Sequence, residues 1–153
     1  MGAKRKLLVE QLDRKLKPFQ GTEKIIIPEQ GWINNIRVAL NMTLEQLGNK
    51  LNITRQGAKR IEESEASGSI SLKSMKEIGE HLHMRFVYGF VPIDGSVENL
   101  INRKAEDLAK KIVLRTNHNM KLENQGNSKE RIAQAINDLS DELKREINKS
   151  LWD

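Results

Sequence analysis

Apolar residues recur at helical spacing through most of the chain and mark out a series of amphipathic helices. Between residues 32 and 82, four apolar stripes follow one another with only short polar breaks. Because each stripe needs an apolar surface to cover it, these four helices are predicted to close one small core. The stripes are formed by Trp32, Ile33, Ile36 and Leu40; by Leu44, Leu47 and Leu51; by Ala58 and Ile61; and by Leu72, Met75, Ile78 and Leu82.

The break between the second and third of these helices is the shortest. Thr43 suits the N-cap of the first helix of this pair and Thr54 that of the second. Asn52 stands where the chain must reverse, and after Gly it is the residue that best tolerates a left-handed conformation. Gly48 and Ala58 are small enough to let two backbones approach closely. The pattern therefore predicts a tight helix-turn-helix, a shape that can place its second helix in the major groove of DNA.

The helix that follows Thr54 has a strongly polar outward face. Ala58 and Ile61 are its inward-facing apolar positions, so the outward positions hold Arg55, Gln56, Lys59 and Arg60. Gly57 lies inside the same helix, where glycine costs on the order of 1 kcal/mol relative to Ala. Either this glycine lets DNA come near, or it is simply tolerated.

These residues resemble the lambda-repressor-like, XRE-type DNA-binding domain. The sequence departs from that pattern twice, with Asn52 in place of the turn glycine and Leu44 in place of a Gln that contacts a phosphate. The second departure weakens one expected DNA contact. The matching positions are Arg37, Thr43, Leu47, Gly48, Ile53, Thr54, Ile61 and Glu62.

The XRE-type resemblance implies a role for each outward residue. It places Arg55, Gln56 and Arg60 toward base edges, where Arg can hold the O6 and N7 of guanine and Gln the N6 and N7 of adenine. It places Lys59 and Thr43 nearer the phosphates, and it implies a structural ion pair between Arg37 and Glu62. The predicted DNA-binding set is Thr43, Thr54, Arg55, Gln56, Gly57, Lys59 and Arg60.

A wider resemblance covers about the first two-thirds of the chain. Residues 4–20, 31–48 and 82–92 are similar to the XRE-type proteins called mobile mystery protein A. Members of that family are encoded beside a Fic-family protein. The resemblance implies a sequence-specific double-stranded-DNA-binding regulator, the autoregulating antitoxin of a Fic-type toxin–antitoxin module. The alternative is an interaction protein that binds and neutralises a Fic-family partner and uses the helix-turn-helix as a scaffold.

The segment from Arg85 to Val91 differs from its surroundings. Its aromatic and β-branched residues have high β-propensity, and Pro92 ends the run, so we expect one short β-strand. A single strand is not stable alone. It is predicted to pair either with Ile25–Ile27 or with its own copy in a homodimer, which would bind an inverted-repeat operator.

Helical patterns flank this central part. Leu8, Leu12 and Leu16 form one stripe of an N-terminal helix that must stop near Pro18. Beyond Gly95, two stripes could pack on the core, form a dimer seam or bind a partner's groove. The polar stretch 116–128 separates them, with Ser128 as a plausible cap. The stripes are Val97, Leu100, Ile101, Leu108 and Ile112, then Ile132, Ile136, Leu139, Leu143, Ile147 and Leu151.

The predicted fold class is mainly α, a lambda-repressor-like helix-turn-helix domain with one short β-strand and helical N- and C-terminal extensions. Residues 1–28 would form a basic helix and linker. Residues 29–95 would form the DNA-binding domain with its trailing strand, and residues 96–153 a helical arm or hairpin.

Charge and composition narrow the function further. The 153-residue chain has a net charge of +5, which suits a polyanionic partner. Residues 1–18 and 103–121 each hold six Lys or Arg against two acids, whereas residues 32–82 hold seven against six. The basic ends could contact phosphates or could be the solvated faces of amphipathic helices.

The sequence predicts neither catalysis nor a cofactor. His81 and His83 are two residues apart, which on a helix turns them to opposite sides, so no metal site is expected. No catalytic triad or phosphate-binding glycine motif is present, and an enzyme is not expected. The chain has no Cys and no apolar run of about 20 residues that could span a bilayer. A cytoplasmic location is the default expectation.

Overall fold

The computed structural model describes residues 2–122 and 128–153. The chain is mainly helical, as predicted. Short 3-10 helices lie at Lys17–Phe19, Thr22–Lys24 and Lys149–Trp152. The α-helices are α1 (Gly2–Leu16), α2 (Trp32–Ala39), α3 (Leu44–Leu51), α4 (Arg55–Ser67), α5 (Leu72–His81), α6 (Val97–Leu122) and α7 (Lys129–Glu146).

The chain divides into two compact units. Residues 24–88 form one unit, which contains α2 to α5. Residues 1–23 and 89–153 form the other, which contains α1, α6 and α7. Helix α1 therefore belongs to the same compact unit as the C-terminal helices, although most of the chain lies between them in sequence.

The core of the 24–88 unit draws on all four predicted stripes. Its buried residues are Ile33 from α2, Leu47 from α3, Ala58 from α4, and Ile78 and Leu82 from α5 and its C-cap. The prediction of one small core is confirmed for these positions. Three other stripe residues are exposed instead, because they lie at the margins of their helices: Trp32, Leu40 and Leu72.

The N-terminus of α2 is capped by a residue from a distant helix. Gly31 at the N-cap has no side chain to offer, and the Glu65 carboxylate from α4 accepts hydrogen bonds from the backbone N–H groups of Trp32 (2.7 Å) and Ile33 (2.8 Å). A Cβ on Gly31 would lie 2.8 Å from the Glu65 Cδ atom, and φ there is 88°. Glycine is thus required both by the left-handed backbone and by the carboxylate that takes its place.

In the other unit, α6 packs against α7. Ile101, Ala105 and Ala109 of α6 are buried with Leu143 and Leu151. The two stripes therefore pack on each other in a core of their own, and their use as a dimer seam or as a partner's groove filler stays a prediction. The two alanines did not belong to the predicted stripe, which included Ile112, and Ile112 is exposed.

Helix α1 packs on this unit through a different face from the one predicted. Val9 packs against the core, whereas Leu8 and Leu12 are exposed. Asp13 explains the orientation, because its carboxylate accepts hydrogen bonds from the N–H groups of Val97 (2.7 Å) and Glu98 (3.1 Å). This carboxylate caps the N-terminus of α6 from 84 residues away in sequence.

The predicted strand at 85–91 is not formed. No β-strand occurs in residues 2–122 or 128–153, and residues 85–91 and 25–27 have no regular secondary structure. No backbone hydrogen bond joins the two segments in the described chain. A strand needs a partner to satisfy its backbone, and β-propensity alone does not supply one.

The predicted polar break before α7 is shorter than expected. Helix α6 continues to Leu122, so residues 116–122 are helical, while residues 123–127 lie outside the described residues. Ser128 caps α7 as predicted, accepting from the Arg131 N–H at 3.3 Å. Although α6 spans 26 residues, neither it nor any other helix of the described ranges is apolar enough over a sufficient length to cross a membrane.

Candidate nucleic-acid interface

Helices α3 and α4 are joined by a three-residue turn, 52–54. Asn52 adopts the left-handed conformation expected of it, with φ 56° and ψ 40°. The Ile53 N–H donates to the Gly48 carbonyl at 2.9 Å. A Cβ on Gly48 would lie 2.8 Å from the Ile53 carbonyl oxygen. The predicted close approach at Gly48 is therefore confirmed, and it depends on the absence of a side chain there.

Both predicted threonine caps are present. The Thr43 hydroxyl accepts from the Gln46 N–H at 3.0 Å, and the Thr54 hydroxyl accepts from the Gly57 N–H at 3.0 Å. Gln46 completes a capping box, because its Oε1 accepts from the Thr43 N–H at 2.9 Å. Sequence reasoning missed this contact, although a Thr followed three residues later by Gln is its known signal. Each threonine hydroxyl keeps its own hydrogen free to donate to another oxygen.

The predicted contact residues of α4 lie together on one exposed face. Residues 55, 56, 59 and 60 follow the repeat of one helix turn and so share one side of the helix. Ala58 and Glu62, between and beyond them, are buried. None of the four makes a side-chain hydrogen bond or ion pair with another residue of the described chain: Arg55, Gln56, Lys59 and Arg60.

The space around position 57 offers an explanation for glycine there that the sequence pattern did not indicate. A Cβ there would lie 3.3 Å from the Ile53 Cβ and 3.4 Å from the Thr54 hydroxyl. Such contacts are tight, so a larger residue would press on the turn that positions α4. The effect of Gly57 on the approach of DNA stays a prediction.

Two of the six acids in residues 32–82 already have partners within the chain. Of the seven cations and six acids in residues 32–82, Arg37 and Glu62 are engaged with each other and Glu65 caps α2. Six cations and four acids of the segment remain. The N-terminus of α4 adds a partial positive charge, since its first N–H groups point out of the helix.

The Arg37–Glu62 pair implied by the resemblance is present and lies largely buried beneath this face. Arg37 Nε donates to Glu62 Oε2 at 2.5 Å, and its Nη1 donates to the Met42 carbonyl at 2.8 Å. Asn34 Nδ2 donates to Glu62 Oε1 at 2.8 Å. The carboxylate thus accepts hydrogen bonds from two residues of α2, and these hydrogen bonds fix α4 relative to α2.

No protein-family model matches the chain, and no curated protein or solved structure shows significant similarity to it. The contact roles of the seven candidate residues stay predictions from the sequence motifs and the placement of the side chains.

Proposed function

We propose that this protein is a sequence-specific double-stranded-DNA-binding regulator with a lambda-repressor-like helix-turn-helix, and that α4 enters the major groove. The observation that carries the proposal is the outward face of α4, where three cations and one Gln have no partner within the described chain. This combination suits DNA, because bases present fixed donor and acceptor patterns and the phosphates require positive charge.

Each residue of the face has a chemical task in this proposal. Arg55, Gln56 and Arg60 read base edges through forked hydrogen bonds, Arg to guanine and Gln to adenine. Lys59 contacts a phosphate as a point charge and sets the register of the helix in the groove. Thr43 and Thr54 donate their hydroxyl hydrogens near the backbone, since their oxygens already accept from the chain's own N–H groups.

The support beneath α4 favours recognition by a rigid helix. Glu62 ties α4 to Arg37 of α2, and Glu65 ties it to the first turn of α2. A helix held by two carboxylates loses little conformational freedom on binding, so more of its contact energy appears as affinity. The exposed side chains of the α4 face can then change rotamer without moving the helix.

The proposed regulator acts as a homodimer on an inverted repeat. Two copies of α4 would meet half-sites whose centres are about 10 bp apart or a multiple of that. The similarity to mobile mystery protein A extends the proposal to an operator upstream of its own gene. It also suggests a Fic-family partner that this protein neutralises as an antitoxin.

The experiment is a gel-shift assay with the full-length protein and DNA from upstream of its own gene. A scrambled DNA of the same length and composition is the competitor. We expect a preference of at least about 10³ for the upstream DNA at physiological salt. Equal affinity for both DNAs would leave only charge-driven binding and reject sequence-specific readout.

Lys73→Ala is the matched control for Arg55→Ala. Both replace an exposed cation of the same unit, but Lys73 lies on α5. Arg55→Ala should abolish most of the preference and Lys73→Ala should keep it. Loss of preference in both variants would point to total charge rather than to α4.

The partner is tested separately by copurification. The full-length protein is co-expressed with the Fic-family protein encoded beside its gene, where such a neighbour exists. Recovery of a stoichiometric complex supports the antitoxin role. Failure to copurify would remove that role and leave the DNA-binding proposal standing.

A further inference from the structure

The charges of α6 and α7 are separated along the length of this helix pair. The two helices run antiparallel, because Ile101 and Ala105 near the start of α6 are buried in one cluster with Leu143 near the end of α7. The second half of α6 and the first half of α7 therefore lie at the same end of the pair. We call this end, residues 108–119 and 128–137, the hairpin tip.

The hairpin tip is basic, whereas the opposite end of the pair is acidic. The tip holds five Lys or Arg against one acid, and the residues between its two parts add one of each. Residues 97–107 and 138–153, at the opposite end, hold five Lys or Arg against eight acids. A surface that only has to stay solvated is served by interspersed charges of both signs. A concentration of one sign attracts a partner of the other sign.

The cations of the hairpin tip have no partner within the described residues. Their side chains are exposed and make no hydrogen bond or ion pair with residues 2–122 or 128–153. Toward the acidic end, in contrast, Arg103 pairs with Asp94 at 2.8 Å and Lys144 lies 3.9 Å from Glu106. The free cations of the tip are Lys110, Lys111, Arg115, Lys129 and Arg131.

Lys111 and Arg115 lie next to each other on α6. They are four residues apart, so their side chains share one side of the helix. Like charges at this spacing destabilise a helix slightly, and no acid occurs in the second half of α6 to compensate. An anionic partner on this side would turn the repulsion into attraction.

We propose that the hairpin tip binds the phosphate backbone of double-stranded DNA without regard to base sequence. The proposal goes beyond the function proposed for α4, because it needs no base readout and concerns the other compact unit. Lys111 and Arg115 are about 6 Å apart along the helix axis, and a duplex presents one negative charge per about 1.7 Å of its own axis. Each cation can therefore reach a phosphate, and the counterions released on contact favour binding.

The exposed apolar residues of the hairpin tip argue against a lipid surface. Ile112 and Leu114 are exposed at 42% and 51%. Because they are two residues apart, they point to different sides of α6 and form no continuous apolar face. A helix that lies on a membrane needs such a face beside its basic one. Binding to DNA needs only the positive charge.

The test is titration of the full-length protein with a random-sequence duplex at several salt concentrations, followed by fluorescence anisotropy. The double variant Lys111→Ala with Arg115→Ala should reduce the slope of log affinity against log salt by about 1.8. Its affinity at about 50 mM salt should fall at least tenfold. Exchanging the two residues, Lys111→Arg with Arg115→Lys, keeps both charges and should keep the wild-type slope.

The matched control is the double variant Arg145→Ala with Lys149→Ala. It also removes one exposed Arg and one exposed Lys, but from the acidic end, and should leave the slope unchanged. Lys129→Ala with Arg131→Ala tests the α7 side of the tip and should reduce the slope as the α6 variant does. Thermal unfolding at or above the wild-type midpoint shows that each variant is folded.

Three results would overturn the proposal. Unchanged slopes in both tip variants would exclude phosphate contacts by the tip. An equal reduction in the control would make total charge the cause. Weaker binding of the tip variants to phosphatidylserine vesicles, with DNA binding intact, would assign the tip to a membrane. The tip variants should weaken upstream and scrambled DNA alike, whereas Arg55→Ala should remove the preference between them, so each proposal can fail while the other stands.

Discussion

Arg37 and Glu62 join α2 to α4 through two hydrogen bonds, from Nε to Oε2 at 2.5 Å and from Nη2 to Oε1 at 3.2 Å. Both side chains are largely buried. A guanidinium and a carboxylate in this forked arrangement satisfy each other in a place with little access to water. Neither group has a good substitute for its partner there.

Removing one partner of this pair should therefore be costly. Glu62→Ala leaves the Arg37 charge buried and is expected to lower the free energy of unfolding by about 3–5 kcal/mol. Glu63→Ala is the control, since Glu63 is exposed and adjacent. The measurement is urea unfolding of both variants. An unchanged midpoint for Glu62→Ala would mean that water reaches the pair.

Gly48→Ala should destabilise the chain although Ala is the better helix former. The added methyl would lie 2.8 Å from the Ile53 carbonyl oxygen and force α3 and the turn apart. We expect a loss of about 1–3 kcal/mol. Lys50→Ala, an exposed change in the same helix, should stay within about 0.5 kcal/mol of the wild type. Thermal unfolding of Gly48→Ala at or above the wild-type midpoint would contradict the close approach.

The outward residues of α4 should differ in how they affect specificity. Arg55→Ala, Gln56→Ala and Arg60→Ala are each expected to cost about 1–3 kcal/mol on the operator and much less on random DNA. Lys59→Ala should weaken both DNAs alike and reduce the salt slope by about one. Titration by fluorescence anisotropy at several salt concentrations separates the two classes. Equal losses on both DNAs for all four variants would exclude base readout by this face.

Asp94 should titrate below an ordinary aspartate. A hydrogen bond from the Arg103 guanidinium lowers the pKa of its carboxyl, with further help from the charges of Arg103 and Lys104. A group with a lowered folded pKa stabilises the fold above its unfolded pKa and loses that contribution as the pH falls through the folded value. Carboxyl NMR titration should show the Asp94 pKa rising to the ordinary range in Arg103→Gln. An unshifted pKa would mean that the pair does not form in solution.

Ser140 should be dispensable for stability. Its hydroxyl is buried in α7 and has no hydrogen-bond partner among the described residues. Ser140→Ala removes the cost of burying it and should leave stability unchanged or raise it by about 1 kcal/mol. Ser71→Ala makes the same chemical change at the N-cap of α5 and should lose about 1 kcal/mol. A comparable loss for Ser140→Ala would reveal a partner for its hydroxyl.

Local signals in the sequence predicted the part of the fold that depends on neighbouring residues. Thr43, Thr54 and Ser128 cap helices as expected, and Asn52 reverses the chain. These roles depend on hydrogen bonds within three or four residues, so the pattern alone is sufficient to find them.

What the sequence could not supply depends on distant contacts. Glu65 caps α2 from 32 residues away, a role that no local pattern distinguishes from a surface acid. Ala105 and Ala109 were missed as core residues because alanine is too common at exposed positions to mark a face. The segment 85–91 has the composition of a strand, but pairing is a property of two segments and cannot be read from one.

The contact between Asp13 and the start of α6 has a consequence for the time course of folding. Helix α1 is synthesised before α6, and its capping partners follow 84 residues later in the sequence. At 5–20 residues per second that interval is roughly 4–17 s. A 15-residue helix is only marginally stable alone. Helix α1 therefore lacks its packing partner while residues 24–88 are synthesised and can fold. Helix α1 therefore leaves the ribosome before α2 to α5 but acquires its packing partner after they have been synthesised.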